Sequence, residues 1–296
     1  MTEPSSLIVA AVGGNAISPP AGPISFADER AAIERAVDEL AALAADRRLL
    51  IVHGNGPQVG KLLAAEGVGD PDALDIHVAQ TQGELGYLLA HALERRLGRP
   101  GSTVALVTRV RVDARDPSFA HPSKPVGRIL AEPPPDVASA RTPDHSGWRR
   151  VVASPRPLAV VEESAVAALL KDHHVVAGGG GGVALDGVTP CAAVIDKDWT
   201  AALLAVRLGA GSLLFVTDVS HAFDAFGSGE AQPIRVMRVD EARARLSRGV
   251  FAPGSMAPKV ESAIQFVSAT GRTARIATIG EIDAALSNRA GTRIVQ

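Results

Sequence analysis

Cysteine is almost absent from this chain. Cys191 stands alone among 296 residues, so no intramolecular disulfide is available, and the lone thiol fits a reducing compartment. Aromatic side chains supply only 3% of the sequence against 46% hydrophobic residues, so Ala, Val, Leu and Ile must fill the core. No charge of one sign dominates. Thirty basic and 32 acidic residues leave a formal net charge of −2, which provides no electrostatic footprint for nucleic acid. Long apolar runs are missing too. Leu7 to Val12 is too short to span a bilayer and is broken by Gly13-Gly14, and the residues before it carry no basic leader region. Together these absences predict a soluble cytoplasmic protein of one large domain or two modest ones.

Lysine is scarce as well. Only five of the 30 basic residues are lysine: Lys61, Lys124, Lys171, Lys197 and Lys259. A lysine kept in an arginine-rich chain points to work for a compact ammonium, such as holding one phosphate oxygen, where a planar fork fits less well. Lys61 and Lys171 fall in helix-like, solvated stretches. The other three lie in "SKPVG", "VIDKD" and "MAPKV", beside Pro, Gly or Asp. For Lys124 a loop surface charge is the bland alternative.

What the chain has is alternation. "SLIVAAVGG", "RRLLIVHGNG", "STVALVTRVRVD", "HVVAGGGGG", "GSLLFVTDV" and "RTARIATIG" read as strands, and helical spacing fills the intervals, as in "FADERAAIERAVDELAALAAD" and "DKDWTAALLAVRLGA". This order predicts an α/β fold with an open, mainly parallel sheet between helices. Ligands of such sheets bind beyond the carboxyl ends of strands. Three glycine turns fall there: Gly13-Gly14, Gly54 to Gly56, and Gly178 to Gly182. Residues 117–157 change character, with "EPPP" and short β-like pieces such as "WRRVV", and predict a small protruding subdomain. No period of 20–50 residues suggests a repeat protein.

The five consecutive glycines admit several readings. No G-x-x-x-x-G-K-[ST] occurs, so this is not a P-loop. A dinucleotide fingerprint requires a helix immediately after, and "VALDGVTP" reads as a loop or hairpin. A linker would mix Gly with Ser rather than follow the apolar "HVVA" directly. A close-approach loop remains, its amides receiving an anion, with side chains there expected to collide with substrate and phosphate. His53 reads as a core histidine, His173-His174 as a strand edge without metal partners, and Trp148 and Trp199 as packing residues.

Eight segments, "AVGGNAI", "IVHGNGPQVG", "TQGELGY", "KPVG", "GWRRVVASPRP", "AGGGGGV", "AVIDKD" and "FAPGSMAPKVESAIQFV", stand in an order that resembles carbamate kinases of the amino-acid kinase superfamily over nearly the whole chain. The resemblance implies a homodimeric cytoplasmic enzyme of arginine metabolism. It implies reversible phosphoryl transfer between ATP and carbamate, giving ADP and carbamoyl phosphate, with Mg²⁺ carried by the nucleotide phosphates. It implies an acid-substrate lobe over residues 1–187, including the subdomain, and a nucleotide lobe over 188–296. By the same resemblance Lys124, Lys197, Asp198 and Lys259 are the catalytic residues. Gly13, Gly14 and Asn15 offer amides near the transferred phosphoryl and the carbamate, and Gly54, Asn55 and Gly56 hold the carbamate side. Gly180, Gly181, Asp196, Asp218, Ser255 and Met256 are the nucleotide contacts. For Asp198 a simple helix N-cap is the bland alternative.

The chain departs from the resemblance in a subdomain a few residues short, in Ala153 where Pro is usual, and most in the segment after Asp218. After "TDV" these kinases usually carry Asp, then an aromatic residue, then Asn-x-Gly-x-Pro. Here Ser220, Phe223, Ala225 and Gly229 stand at the Asp, aromatic, Asn and Pro positions. The expected function is therefore carbamate kinase, with two alternatives: a kinase of this fold with a different small acceptor or an altered nucleotide site, or a non-catalytic regulator that binds nucleotide or carbamoyl phosphate.

Overall fold

A computed structural model describes residues 6–17, 25–65, 73–133, 135, 137–142, 146–227 and 229–296. Its centre is the strand Leu7–Val12, in which all six residues are buried. Arg48–His53 pairs with it on one side and Ser212–Thr217 on the other, both parallel. The full sheet has eight strands in the order Val236–Arg238, Thr292–Val295, Ala274–Thr278, Ser212–Thr217, Leu7–Val12, Arg48–His53, His174–Val176, Thr103–Ala105. Only the pairing of Ala274–Thr278 with Thr292–Val295 is antiparallel within it. The expected α/β class is what the chain adopts.

Period-two alternation divides the core between the two faces of this sheet. Ile8, Ala10 and Val12 pack with Ile33, Val37 and Leu40 of helix Phe26–Ala44 and with Leu85 and Leu89 of helix Leu74–Leu97. Leu7, Val9 and Ala11 face the other way, onto Ala201 and Ala205 of helix Lys197–Arg207 and Val260, Ala263 and Phe266 of helix Met256–Thr270. With so few aromatics, close approach of small residues replaces bulk. Each buried Leu or Ile still contributes about 1.5–3 kcal/mol.

The stretch "STVALVTRVRVD" is not one strand. Thr103–Ala105 ends the main sheet, whereas Arg109–Arg111 pairs with Val183–Asp186 in a second, four-stranded sheet. Gln82 stands at the break. Its Oε1 accepts from the Thr108 backbone N–H and from Thr108 Oγ1, both at 2.9 Å, and its Nε2 donates to the Thr108 carbonyl. The Thr108 N–H thus bonds a side chain, while its carbonyl also accepts from the Val183 N–H at 2.9 Å, where the backbone passes to the second sheet.

Lys124–Leu130, Ser139–Arg141 and Trp148–Val152 form a separate antiparallel sheet with Trp148–Val152 in the middle. Gly60, on helix Gly56–Ala65, seats it. A Cβ there would lie 2.5 Å from the Gly127 Cα, so the small sheet rests directly on the helix that follows the second glycine turn. Among the described residues, no helix is long and apolar enough to cross a membrane.

Candidate active site

The carboxyl ends of the central strands open into a cavity of about 250 Å³. Leu7–Val12 delivers Gly13 and Gly14 to it, Arg48–His53 delivers Gly54 to Gly56, and Ser212–Thr217 delivers Thr217 and Asp218. The first two turns abut: a Cβ on Gly54 would lie 2.8 Å from the Gly14 amide nitrogen, so the second turn tolerates no side chain toward the first at that position. The Gly13 amide, expected near the phosphoryl, is instead used within the sheet, and so is that of Gly54. The Gly13 N–H donates to the Val216 carbonyl at 2.8 Å and the Gly54 N–H to the Val12 carbonyl at 2.9 Å, each extending the sheet ladder by one residue. Gly14 and Gly56 instead open helices, Gly14–Ile17 and Gly56–Ala65, where N-terminal amides point outward along the helix. Asn15 lies in the first of these helices.

Lys124, Lys197, Asp198 and Lys259 all line this cavity, together with Asp196, Asp218, Gly180 and Ser255. Asp198 is the hub. Its Oδ1 accepts from Lys197 Nζ at 2.5 Å and its Oδ2 from Lys259 Nζ at 3.1 Å. Asp198 does not cap its helix. That role belongs to Asp196, whose Oδ1 accepts from the Asp198 N–H at 3.0 Å, while its Oδ2 accepts from Lys124 Nζ at 2.5 Å. A single carboxylate therefore caps helix Lys197–Arg207 and anchors the lysine of the small sheet.

Asp196, Lys197, Asp198 and Lys259 are buried, whereas the Lys124 side chain is 24% exposed and Asp218 and Ser255 are exposed. Burial lowers the Lys197 pKa from its ordinary value. Asp198 and Asp196 oppose that fall, and the neighbouring Lys259 charge adds to it. Burial works against the Lys259 ammonium too, but Asp198, Asp196 and Asp218 outweigh it and hold that pKa above the ordinary value. Burial would raise the Asp196 carboxyl, yet Lys124 and Lys197 overcome this and keep it well below the usual range. The set is three lysines around two buried carboxylates, with the Asp218 carboxylate on the same cavity wall.

The glycine run turns out to be shaped by protein neighbours. A Cβ at Gly179 would meet His53 Nε2 at 2.3 Å, at Gly180 the Asn55 Nδ2 at 2.1 Å, at Gly181 the Ile195 Cβ at 2.5 Å and at Gly182 the Val110 Cγ1 at 2.8 Å. Side chains on the run would therefore collide with residues of the fold, and within the run Gly180 lines the cavity. Gly181 turns its carbonyl to Thr200 Oγ1, which donates at 2.8 Å. Asn55, pressed against Gly180, is held by its Nδ2 donating to Thr81 Oγ1 at 2.9 Å. Sequence reasoning assigned no role to Thr81 and Gln82, although both stand in the quoted "TQGELGY".

Met256 lies outside the main cavity. It lines an adjoining apolar pocket of about 140 Å³ with His221, Phe223, Phe226 and Phe251, and Asp218 and Ser255 belong to both spaces. The departing segment builds one wall of this pocket. Ala222–Asp224 pairs with Gln232–Ile234 as a hairpin, and Ala225 follows at φ 53°, a left-handed conformation that Asn tolerates better than Ala.

A parallel sheet with buried lysines gathered over glycine turns at its carboxyl ends defines a class, the kinases that handle small acids and phosphates. The comparisons agree. The amino acid kinase family profile matches residues 6–278. A carbamate kinase of Lentilactobacillus hilgardii is 37% identical over 98% of this chain and 97% of its own length, and one of Halobacterium salinarum is 37% identical over 98% of both. Among solved structures, the carbamate kinase of Giardia lamblia bound to AMP-PNP superposes with a TM-score of 0.86 at 32% identity, covering 98% of each chain. The chain belongs to the amino acid kinase family and, within it, to the carbamate kinases.

Proposed function

We propose that this chain transfers a phosphoryl group reversibly between ATP and carbamate, giving ADP and carbamoyl phosphate. The observation that carries the reading is the convergence of Lys124, Lys197 and Lys259 on one cavity, with Asp196 and Asp198 holding them. A carbamate oxygen is already anionic and needs no general base. The barrier then falls through alignment and through cancellation of charge on the moving group. Lys197 and Lys124 stand over the glycine turns and neutralise the phosphoryl in flight. Lys259 holds the nucleotide phosphates near the start of its helix, and Gly14, Asn15 and Gly56 contribute amides to the acceptor side. Asp196 and Asp198 keep the ammoniums aimed rather than exchange protons with substrate. The acid-substrate lobe extends to residue 187, with the 117–157 subdomain lending Lys124, and the nucleotide lobe begins at 188.

Mg²⁺ enters with the nucleotide in this reading. Among the described residues no group of three or more His, Cys, Asp or Glu could hold a metal. Mg²⁺ commonly uses one or two carboxylates plus substrate phosphates, and Asp218 on the cavity wall is such a carboxylate. The ion would supply further charge neutralisation between the phosphates. The same reading makes the chain a homodimer acting in the cytoplasm in arginine metabolism. Tyr87 and Val107, 56% and 50% exposed beside one groove, support a second copy packing there.

A coupled assay of ATP formation from carbamoyl phosphate, ADP and Mg²⁺ tests the activity. The wild type should turn over, and Lys197→Ala and Lys259→Ala should each lose about 10²-fold or more. Folded wild type without turnover at saturating nucleotide would overturn the reading. The Ala225 hairpin beside the nucleotide space should show itself in the KM for ADP rather than in kcat.

A further inference from the structure

The small sheet that carries Lys124 joins the rest of the chain at two points, just before residue 124 and just after residue 152. Arg156 lies four residues beyond the second, between Pro155 and Pro157. Those prolines restrict the local backbone, so a pull on the Arg156 side chain is transmitted to the main chain. Three contacts radiate from this residue to three different elements. Its N–H donates at 3.1 Å to Asp116 Oδ2, on the segment that leads into the small sheet. Its guanidinium lies over the Trp199 ring, 3.8 Å from the centroid, and Trp199 immediately follows Asp198. Its Nη2 pairs with Glu261 Oε2, two residues past Lys259 on helix Met256–Thr270. A further tie runs from the Val194 N–H to the Ala153 carbonyl at 3.0 Å, joining the same root to the segment before Asp196.

We propose that Arg156 is a positioning residue that braces the root of the Lys124-bearing sheet against the two helices carrying Lys197, Asp198 and Lys259. Arginine suits this place because one planar group stacks on an indole with its face and pairs with a carboxylate at its edge. Lys124 is the most exposed member of the charge cluster and is held there by one ion pair with Asp196. Its reach over the cavity therefore depends on where the root of its sheet is fixed, and Arg156 sets that point by gripping the helices that hold the other lysines. The kinetic consequence rests on the phosphoryl-transfer reading above. The brace itself does not.

Hydrogen exchange on Arg156→Ala and Glu261→Gln tests the brace. Amides of Val126 and Val152, which lie where the two root strands pair, should exchange about tenfold faster or more, while strand Leu7–Val12 keeps its wild-type rates. In the coupled assay kcat should fall about ten- to hundredfold, with the KM for ADP within about twofold. The melting temperature should stay within about 2 °C, because Arg156 and Glu261 are partly exposed. Unchanged exchange at the root overturns the brace, as does a rise that extends equally to Leu7–Val12. Faster root exchange with a wild-type kcat overturns the positioning role. A wild type inactive in the assay counts against the phosphoryl-transfer reading alone, and the exchange arm still decides the brace.

Discussion

Replacing Asp198 by Asn removes one charge and almost no volume. The variant leaves Lys197 and Lys259 facing an amide where each had a carboxylate oxygen, at 2.5 and 3.1 Å. One of the two positions must receive an NH₂ group, a donor pointed at a donor. Both lysines and Asp198 are buried, so the lost partner is only poorly replaced by water. Removing one member of a buried ion pair costs about 3–5 kcal/mol. A chain of this length changes its melting temperature by about 2 °C per kcal/mol, so the expected fall is about 6–10 °C. Turnover should drop by about 10²-fold or more, since both ammoniums lose their aim. The deficit also depends on pH. Burial already lowers the Lys197 pKa in the native protein, and losing Asp198 lowers it further. A folded-state pKa below that of the unfolded chain means the unfolded chain binds more protons between the two values, so stability rises with pH there. The window is wider in the variant, so its deficit should shrink as pH rises into the range where Lys197 sheds its proton. Urea unfolding at several pH values, with the coupled assay beside it, measures both effects. A loss below about 1 kcal/mol with turnover within tenfold of wild type would refute the claim that Asp198 holds the two lysines.

Three further outcomes follow from particular contacts. Burial pushes the His53 pKa down from 6.5 to about 4. Stability should therefore fall as pH drops through that interval, by about 3 kcal/mol, and a His53→Gln variant should lack this component in urea titrations. Gly180→Ala combines a φ of +58° with a contact at 2.1 Å on Asn55, and should destabilise by about 2–5 kcal/mol; Gly56→Ala, where a Cβ meets nothing within 4 Å, should keep the wild-type melting temperature. Ala225→Asn should raise stability by about 0.5–1 kcal/mol by relieving the left-handed conformation at φ 53°, as read by calorimetry.

Much of the architecture was legible because its causes are local. Six buried residues running into Gly13-Gly14 can be read as a strand and a turn without knowing their neighbours, and the 3.6-residue spacing of Ile33, Val37 and Leu40 marks a helix face wherever the helix packs. The arginine bias of the chain likewise drew attention to Lys124, Lys197 and Lys259 by residue type alone. The break at Thr108 was not legible, because its bonding partners are remote in sequence: Gln82, 26 residues earlier, takes its N–H, and Val183 donates to its carbonyl.

The same division runs through the site. Alternation of strand and helix, a property of neighbouring residues, determined an α/β sheet with glycine turns at its carboxyl ends. Tertiary packing decided what those turns do. Lys124 meets Asp196 across 72 positions and Lys259 meets Asp198 across 61, so which carboxylate caps the helix and which bridges two lysines was settled by how the small sheet and helix Met256–Thr270 close over the strand ends. The glycine run shows the contrast most plainly. Its composition announced a close approach, but only the folded chain revealed that the approaching groups are His53, Asn55, Ile195 and Val110, brought there from other elements by the sheet.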